Sequence, residues 1–393
     1  MDDVLIVSGA RTPIGSFGKA FVDVQAADLG IAAARCAVER AQVDADQVDE
    51  VILGCVGQFG GDAYIARAVG LGAGLPIETS AATINRLCGS GLQAINTAAQ
   101  VIWSGDADVI LAGGAENMSR YPYLSFSNRW GARMGDTHQM DGLRLLLSDP
   151  FTDCHMGVTA ERVSQRWQVD REAQDQFAFG SQRKAAAAIS TGRFKDEIVP
   201  VAVPGKGGQT ILVDTDEHPR PGTSLEDLAH LKPAFEENGT VTAGNASGLN
   251  DGAAAVMVMS ARSAQRMDVK PLVRLVAHAV AGVDPEVMGI GPVPAVRKVL
   301  RKAALSIDDI DLVELNEAFA AQSLACMRDL ALDPEKVNVN GGAIALGHPL
   351  GATGAALTVK LMYEMKRRQV RYGMVAMCIG GGQGIASVFE RVA

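Results

Sequence analysis

One arrangement occurs twice along the chain, and it limits the possible folds more than any other feature. The strand-like stretch Asp49-Glu50-Val51-Ile52-Leu53-Gly54-Cys55 ends 33 residues before Cys88 (55 to 88). Asp311-Leu312-Val313-Glu314-Leu315-Asn316 ends 32 residues before His348 (316 to 348). Each is followed by a glycine-rich turn, a helical segment and a strand ending in glycines, Val109 to Gly114 in one half and Val375 to Gly382 in the other. An internal duplication is the simplest account. Two α/β halves packed about a pseudo-two-fold axis would carry Cys88 and His348, each at a helix N-terminus, towards one central cleft.

The rest of the pattern agrees with this. Apolar, β-branched stretches end in glycine or a small polar residue: Val4 to Gly9, Val51 to Gly57, Val109 to Gly114, Leu312 to Asn316, Val337 to Gly341 and Met374 to Gly380. They alternate with Ala-rich helical segments at Ala26 to Arg40, Gly91 to Trp103, Pro294 to Ala304 and Gly351 to Arg367. The alternation predicts an α/β fold with mostly parallel strands buried on both faces. Between the halves, from Arg120 to about Asn250, the pattern loosens into aromatics, prolines and the Gly205 to Gly208 stretch. This region reads as an excursion with one helix pair, about Gly157 to Ala188, and loops that could cover the cleft.

Several function classes are disfavoured. A net charge of −9 argues against general nucleic-acid or membrane-surface binding. No apolar run reaches the ~18 residues of a membrane helix, and the opening Met1-Asp2-Asp3-Val4 lacks the basic start of a signal peptide. A cytoplasmic location is therefore expected. The six cysteines contain no C-x-x-C and are expected to be reduced thiols. The six histidines form no H-x-x-x-H pair, so no metal is expected.

The chemistry concentrates in three glycine-flanked segments. Cys88 precedes Gly89-Ser90-Gly91 and a helical run, so its sulfur should lie near free N–H groups and the positive helix end, a setting that lowers a thiol pKa. The alternative is a small core cysteine, which is how Cys36, Cys55 and Cys326 read. His348, between Gly347 and Pro349, is either a turn histidine or the base that activates Cys88. Cys378 ends a buried strand and opens into Gly380-Gly381-Gly382, whose amides could form an oxyanion hole. Asn316 could be a helix cap or a site residue. Gly89 to Ala94 also fits G-x-G-x-x-A, which admits a competing NAD-dependent oxidoreductase. Against that reading, the acidic residue at the right distance, Asp108, begins the next strand instead of ending it.

Taken together, N-R-L-C-G-S-G around Cys88, N-E-A-F at Asn316 to Phe319, G-H-P-x-G-A-T-G from Gly347 and C-I-G-G-G-Q-G from Cys378 resemble the thiolase family. The likeness spans nearly the whole chain, including Gly244 to Gly252 and Ser8 to Pro13. It implies a five-layered αβαβα fold of two similar halves with an inserted loop domain. On this chain that gives 1–119 plus 250–270, the insertion 120–249, and 271–393. The implied activity is reversible: acetyl-CoA plus acetyl-CoA or a short acyl-CoA gives 3-ketoacyl-CoA plus CoA, through an acyl-cysteine. Cys88 would be acylated and His348 would activate it. Cys378 would be the base at the acetyl methyl, and Asn316 would position a water beside the enolate oxygen. The backbone N–H groups of Cys88 and Gly380 would hold the acyl oxyanion.

The resemblance implies coenzyme A as substrate and product, with no other cofactor. It places Ser247, Ala243, His155, Met156, Phe235, Leu249, Met288, Ala318 and Phe319 along the pantetheine and Arg220 near the adenine. The runs around Cys154 to Gly157 and Val287 to Pro292 look like short-chain members, whereas Arg86 and the Arg129 to Asp136 run look like β-ketothiolases of broader range. A homotetramer, a dimer of dimers joined through the Tyr121 to Met140 loop, is also implied. A CoA-binding relative without catalysis is the second reading, but such relatives lose a catalytic side chain and here all four positions are filled.

Overall fold

A computed structural model describes residues 2–392. Met1 and Ala393, which fall at the outer ends of the expected halves, lie outside the described residues. Nine strands form one continuous ladder: β1 (Val4–Arg11), β2 (Glu50–Gly54), β3 (Ser80–Ile84), β4 (Val109–Asn117), β5 (Asn250–Ser260), β6 (Val273–Gly282), β7 (Leu312–Leu315), β8 (Tyr372–Ile379) and β9 (Gln383–Arg391). Their order is β7-β8-β9-β6-β1-β5-β4-β2-β3. Read outward from the β6/β1 junction the two sides match: β1 with β6, β5 with β9, β4 with β8, β2 with β7. The junction is narrow, with only Leu5 opposite Arg274 and Ile6 opposite Val273.

Strand residues alternate between faces, and their packing defines the layers. Val4, Ile6, Ile110 and Val256 from one side, and Val375, Met377 and Ile385 from the other, pack on helices α3 (Ser90–Ser104) and α8 (Leu350–Arg368) in one central core. The opposite faces, through Leu5, Val7, Leu111 and Met257, meet α1 (Ala26–Ala41) and α2 (Ile65–Gly72). Met374, Ala376 and Val388 meet α6 (Pro292–Ala303) and α7 (Ala320–Leu330). Helix, sheet, helix, sheet, helix is thus the order of layers.

Two expectations need correction. The strands are not mostly parallel: β2/β3, β2/β4 and β7/β8 are, while the pairings along β4-β5-β1-β6-β9-β8 are antiparallel. The tight turn at Gly381 and Gly382, with φ of 74° and 80°, makes β8 and β9 a hairpin and so forces antiparallel pairing there. Val337 to Gly341 is not a strand either. Val337 makes one parallel bridge to Val313; the Asn338 side chain then donates to Leu315 O and accepts from Leu315 N, taking over the ladder contacts. Strands β3, β5, β6 and β9 lay outside the predicted set.

Between β4 and β5 the chain makes its excursion, with helices α4 (Met156–Arg166) and α5 (Arg171–Ser190) where the helix pair was expected. Arg11 fastens it to β1 through fully buried ion pairs to Glu197 and Asp216 at 3.1 and 2.7 Å. Its guanidinium donates to both Asp216 oxygens, a forked geometry that offsets much of the cost of burying charge. Among the described residues no helix is long and apolar enough to cross a membrane.

Candidate active site

A cavity of about 1130 Å³ opens between the halves and the excursion. Cys88, His348, Cys378 and Gly380 lie along it, as do Ser247, Ala243, His155, Met156, Phe235, Leu249, Met288, Ala318, Phe319 and Arg220. Asn316 is fully buried behind His348 instead of lining the cavity.

Cys88 sits two residues before α3 on a turn that local side chains hold. Leu87 N–H donates to Asn85 Oδ1 at 3.0 Å, Arg86 N–H to Ser90 Oγ at 2.9 Å, and Ser90 Oγ to Leu87 O at 2.6 Å. Leu87 has φ 46°, a left-handed conformation that costs about 1–2 kcal/mol and is tolerated where the surroundings impose it. The Cys88 sulfur faces the N–H of Gly380 and its own N–H. Burial nevertheless outweighs these donors and pushes the thiol up to about 11, against the lowering expected from the helix N-terminus. At neutral pH Cys88 therefore holds its proton and needs a base.

His348 lines the same cavity as Cys88. Burial pushes it down to about 4, so the ring is neutral. Its N–H donates to Asn250 Oδ1 at 2.9 Å, and a Cβ on Gly347, where φ is 106°, would collide with that Asn250 amide. On the ring, Nδ1 lies 2.6 Å from Thr353 Oγ1 and Nε2 lies 3.4 Å from Asn316 Nδ2. Asn316 Oδ1 has no partner, leaving a buried acceptor beside the imidazole. Cys378, 2% exposed, is held well above the usual thiol range by burial and by nearby Cys88.

The glycines of the G-x-G-x-x-A stretch have a packing role. A Cβ on Gly89 would press on Ile379, and one on Gly91 would lie 2.7 Å from Gly351 O at the start of α8. The two helix N-termini meet backbone to backbone, leaving no opening for a pyrophosphate, which removes the nicotinamide reading. Farther out, His155 caps α4, its Nδ1 accepting from Gly157 N–H at 3.1 Å, and stacks on Phe235 at 4.8 Å. Phe235 meets Phe319 edge to face at 6.1 Å. Lys19 and Arg220, both exposed, stand at the rim. Among the described residues no group of three or more metal-ligating side chains is placed to hold an ion.

Sequence reasoning missed Lys19, Thr353, Asn250 and Glu116. Thr353 carried a readable signal, lying five residues beyond His348 in the first turn of the helix that follows it. Asn250 lies within a recognised motif but had no role there. Glu116 gave no signal, being one buried carboxylate at a strand end.

Residues 4–262 match the thiolase N-terminal domain and 269–391 the thiolase C-terminal domain. The chain is 54% identical to a beta-ketothiolase of Cupriavidus necator over 99% of both chains. It is 52% identical to an acetyl-CoA acetyltransferase of Pseudomonas aeruginosa over the full length of both. Among solved structures, an acetyl-CoA acetyltransferase of Bacillus anthracis superposes with a TM-score of 0.98 at 46% identity, covering 100% of this chain and 99% of that one. Human mitochondrial 3-ketoacyl-CoA thiolase in complex with CoA superposes at 0.96, also at 46% identity, covering 100% and 98%. Two thiols and a neutral imidazole at the floor of one cavity, in two duplicated halves that both match, place this chain in the thiolase family.

Proposed function

We propose that this chain catalyses the reversible Claisen condensation of acetyl-CoA with acetyl-CoA or a short acyl-CoA, giving 3-ketoacyl-CoA and CoA, with thiolysis as the reverse. The observation that carries the reading is the convergence of Cys88, His348 and Cys378 on one cavity with the Gly380 N–H aimed at the Cys88 sulfur. In the first step His348 Nε2 takes the Cys88 proton and the thiolate attacks the thioester carbonyl. The N–H groups of Cys88 and Gly380 meet the oxyanion. CoA leaves with the proton that His348 carried.

In the second step Cys378 passes its thiol proton to His348 and, as the thiolate, removes a proton from the methyl of a second acetyl-CoA. The enolate oxygen then faces His348 and a water held on Asn316, whose free Oδ1 suits that role. The carbanion attacks the acyl-cysteine carbonyl and releases Cys88 as the thiolate, which takes the proton from His348 and restores the resting thiol. The aromatic wall of His155, Phe235 and Phe319, with Ser247, Ala243, Leu249 and Ala318, would receive the pantetheine, and Met156 and Met288 the acyl end. Arg220 would meet the nucleotide at the rim. We assign 1–119 with 250–270 and 271–393 to the two halves and 120–249 to the insertion, in a cytoplasmic homotetramer.

Incubation with labelled acetyl-CoA followed by peptide mapping tests the reading. Label should reside on the peptide containing Cys88, and Cys88→Ala should abolish both labelling and thiolysis. Label on Cys378, or an active Cys88→Ala protein, would refute it.

A further inference from the structure

The duplicated halves place an unused residue in register with the second thiol. In β2/β4, Gly54 pairs with Gly114; in β7/β8, Leu315 pairs with Ala376. Two residues beyond these pairs lie Glu116 and Cys378, and each stands opposite a glycine on the next strand, Gly252 and Gly384. One residue beyond Gly54 and Leu315 lie Cys55 and Asn316. Cys88 and His348 each precede their helix by two residues. The C-terminal set Asn316, His348, Cys378 is entirely in the proposed mechanism. In the N-terminal set Cys55, Cys88, Glu116, only Cys88 is.

Glu116 is 1% exposed and does not line the cavity. Its Oε1 accepts from Gly57 N–H at 3.0 Å and Tyr121 Oη at 2.8 Å, and its Oε2 from Val56 N–H and Gly351 N–H, both at 2.9 Å. The Cys55 thiol points at Oε1 from 3.6 Å. Both oxygens thus face donors from three separate segments: the turn after β2, the first residues of α8, and the start of the excursion. Such a shell holds a carboxylate ionised in the core. Burial raises the acid above its ordinary value, and the four donors offset only part of that rise.

Space has been cleared for this arrangement. A Cβ on Gly351 would lie 2.7 Å from Glu116 Oε2, and one on Gly57 would lie 2.3 Å from the Tyr121 ring. Val56 and Leu350, beside two of the donors, pack in the same apolar cluster as Cys88 and Tyr121. Glu116, Tyr121, His348 and Cys378 are titratable groups around Cys88, and Cys55 stands against Glu116.

We propose that Glu116 is a positioning residue for acyl transfer: its carboxylate ties the His348-bearing helix to the half that carries Cys88, and its charge adds to the burial that holds Cys88 as a thiol until His348 takes the proton. This rests on the reading of Cys88 as the acylated nucleophile.

Glu116→Gln and Tyr121→Phe test it, each compared with wild type in thiolysis of acetoacetyl-CoA and in the pH dependence of Cys88 alkylation by iodoacetamide. An amide at 116 keeps one acceptor oxygen where two served, and losing a hydrogen bond to a charge is worth about tenfold or more. We expect Glu116→Gln to lower kcat by about that factor with KM for CoA little changed, and to move alkylation to lower pH. Tyr121→Phe keeps the charge and should lower kcat by a smaller factor, with alkylation at the wild-type pH. A folded Glu116→Gln protein with wild-type kcat, or with lowered kcat but an unmoved alkylation profile, overturns the proposal. If that variant does not fold, Tyr121→Phe decides, and a wild-type kcat there overturns it. Wild type that takes up no acetyl group at Cys88 would refute the acyl-transfer reading itself; wild type that does, beside unaltered variants, refutes only the role of Glu116.

Discussion

Replacing Met288 with alanine should lengthen the acyl chain this enzyme accepts. Met288 is 4% exposed and lies in one apolar cluster with Met156, Phe235, Phe319 and Cys378, so it forms the cavity wall beside Cys378, where the proposed mechanism puts the acyl end. The wild-type wall should admit acetoacetyl-CoA and 3-ketovaleryl-CoA readily, with a steep fall well beyond six carbons. The substitution removes Cγ, Sδ and Cε, room for about three methylenes at ~0.8 kcal/mol each. A chain that fills the space would gain up to about 2.4 kcal/mol, or roughly 50-fold in kcat/KM. Because Met288 already borders open space, its loss should destabilise the fold by less than the ~2–5 kcal/mol of a sealed core site. The assay is thiolysis with free CoA over 3-ketoacyl-CoA substrates of increasing length. A variant ladder parallel to wild type, or a wild type that prefers 3-ketodecanoyl-CoA to acetoacetyl-CoA, would show that Met288 is not the wall.

Cys378→Ala should still acquire the acetyl group at Cys88 and exchange it between CoA species while forming no acetoacetyl-CoA; condensation at the wild-type rate would place the base elsewhere. Because burial holds His348 neutral until the pH falls towards about 4, acylation of Cys88 measured from about pH 5 to about pH 8 should show no acid limb at the ordinary imidazole value of 6.5; an apparent pKa near that value would contradict a buried neutral base. Turnover should survive EDTA, and calorimetry should detect CoA but not NAD at micromolar concentration; tight NAD binding without CoA binding would end the thiolase reading.

The parts of the site that were legible from sequence are those where chemistry dictates residue type locally. Glycines flank Cys88, His348 and Cys378 because close packing or a positive φ leaves no place for a Cβ there, and that density can be read without a fold. The pairing of strand-end residues with helix-start residues in each half was legible too, because a duplicated chain repeats its spacing. Strand direction was not, since β5 and β9 return antiparallel through connections whose geometry depends on tertiary packing. Val337 to Gly341 has a strand's composition, yet Asn338 supplies the ladder contacts from its side chain. The Cys88 environment was misjudged because helix-terminus electrostatics can be read locally, whereas depth of burial is set by residues as distant in sequence as Leu143 and Leu350. Glu116 was invisible for the same reason, as its donors come from residues 56, 57, 121 and 351.

The backbone contact between the starts of α3 and α8, at Gly91 and Gly351, also bears on how this enzyme can diverge. No side chain lies between the two helix ends, so drift in the core has no handle by which to alter the separation of Cys88 and His348. The cavity wall at Met156 and Met288 is made of flexible side chains and can be recut freely. Changes of substrate can therefore accumulate by single substitutions, while the reaction itself is insulated from them.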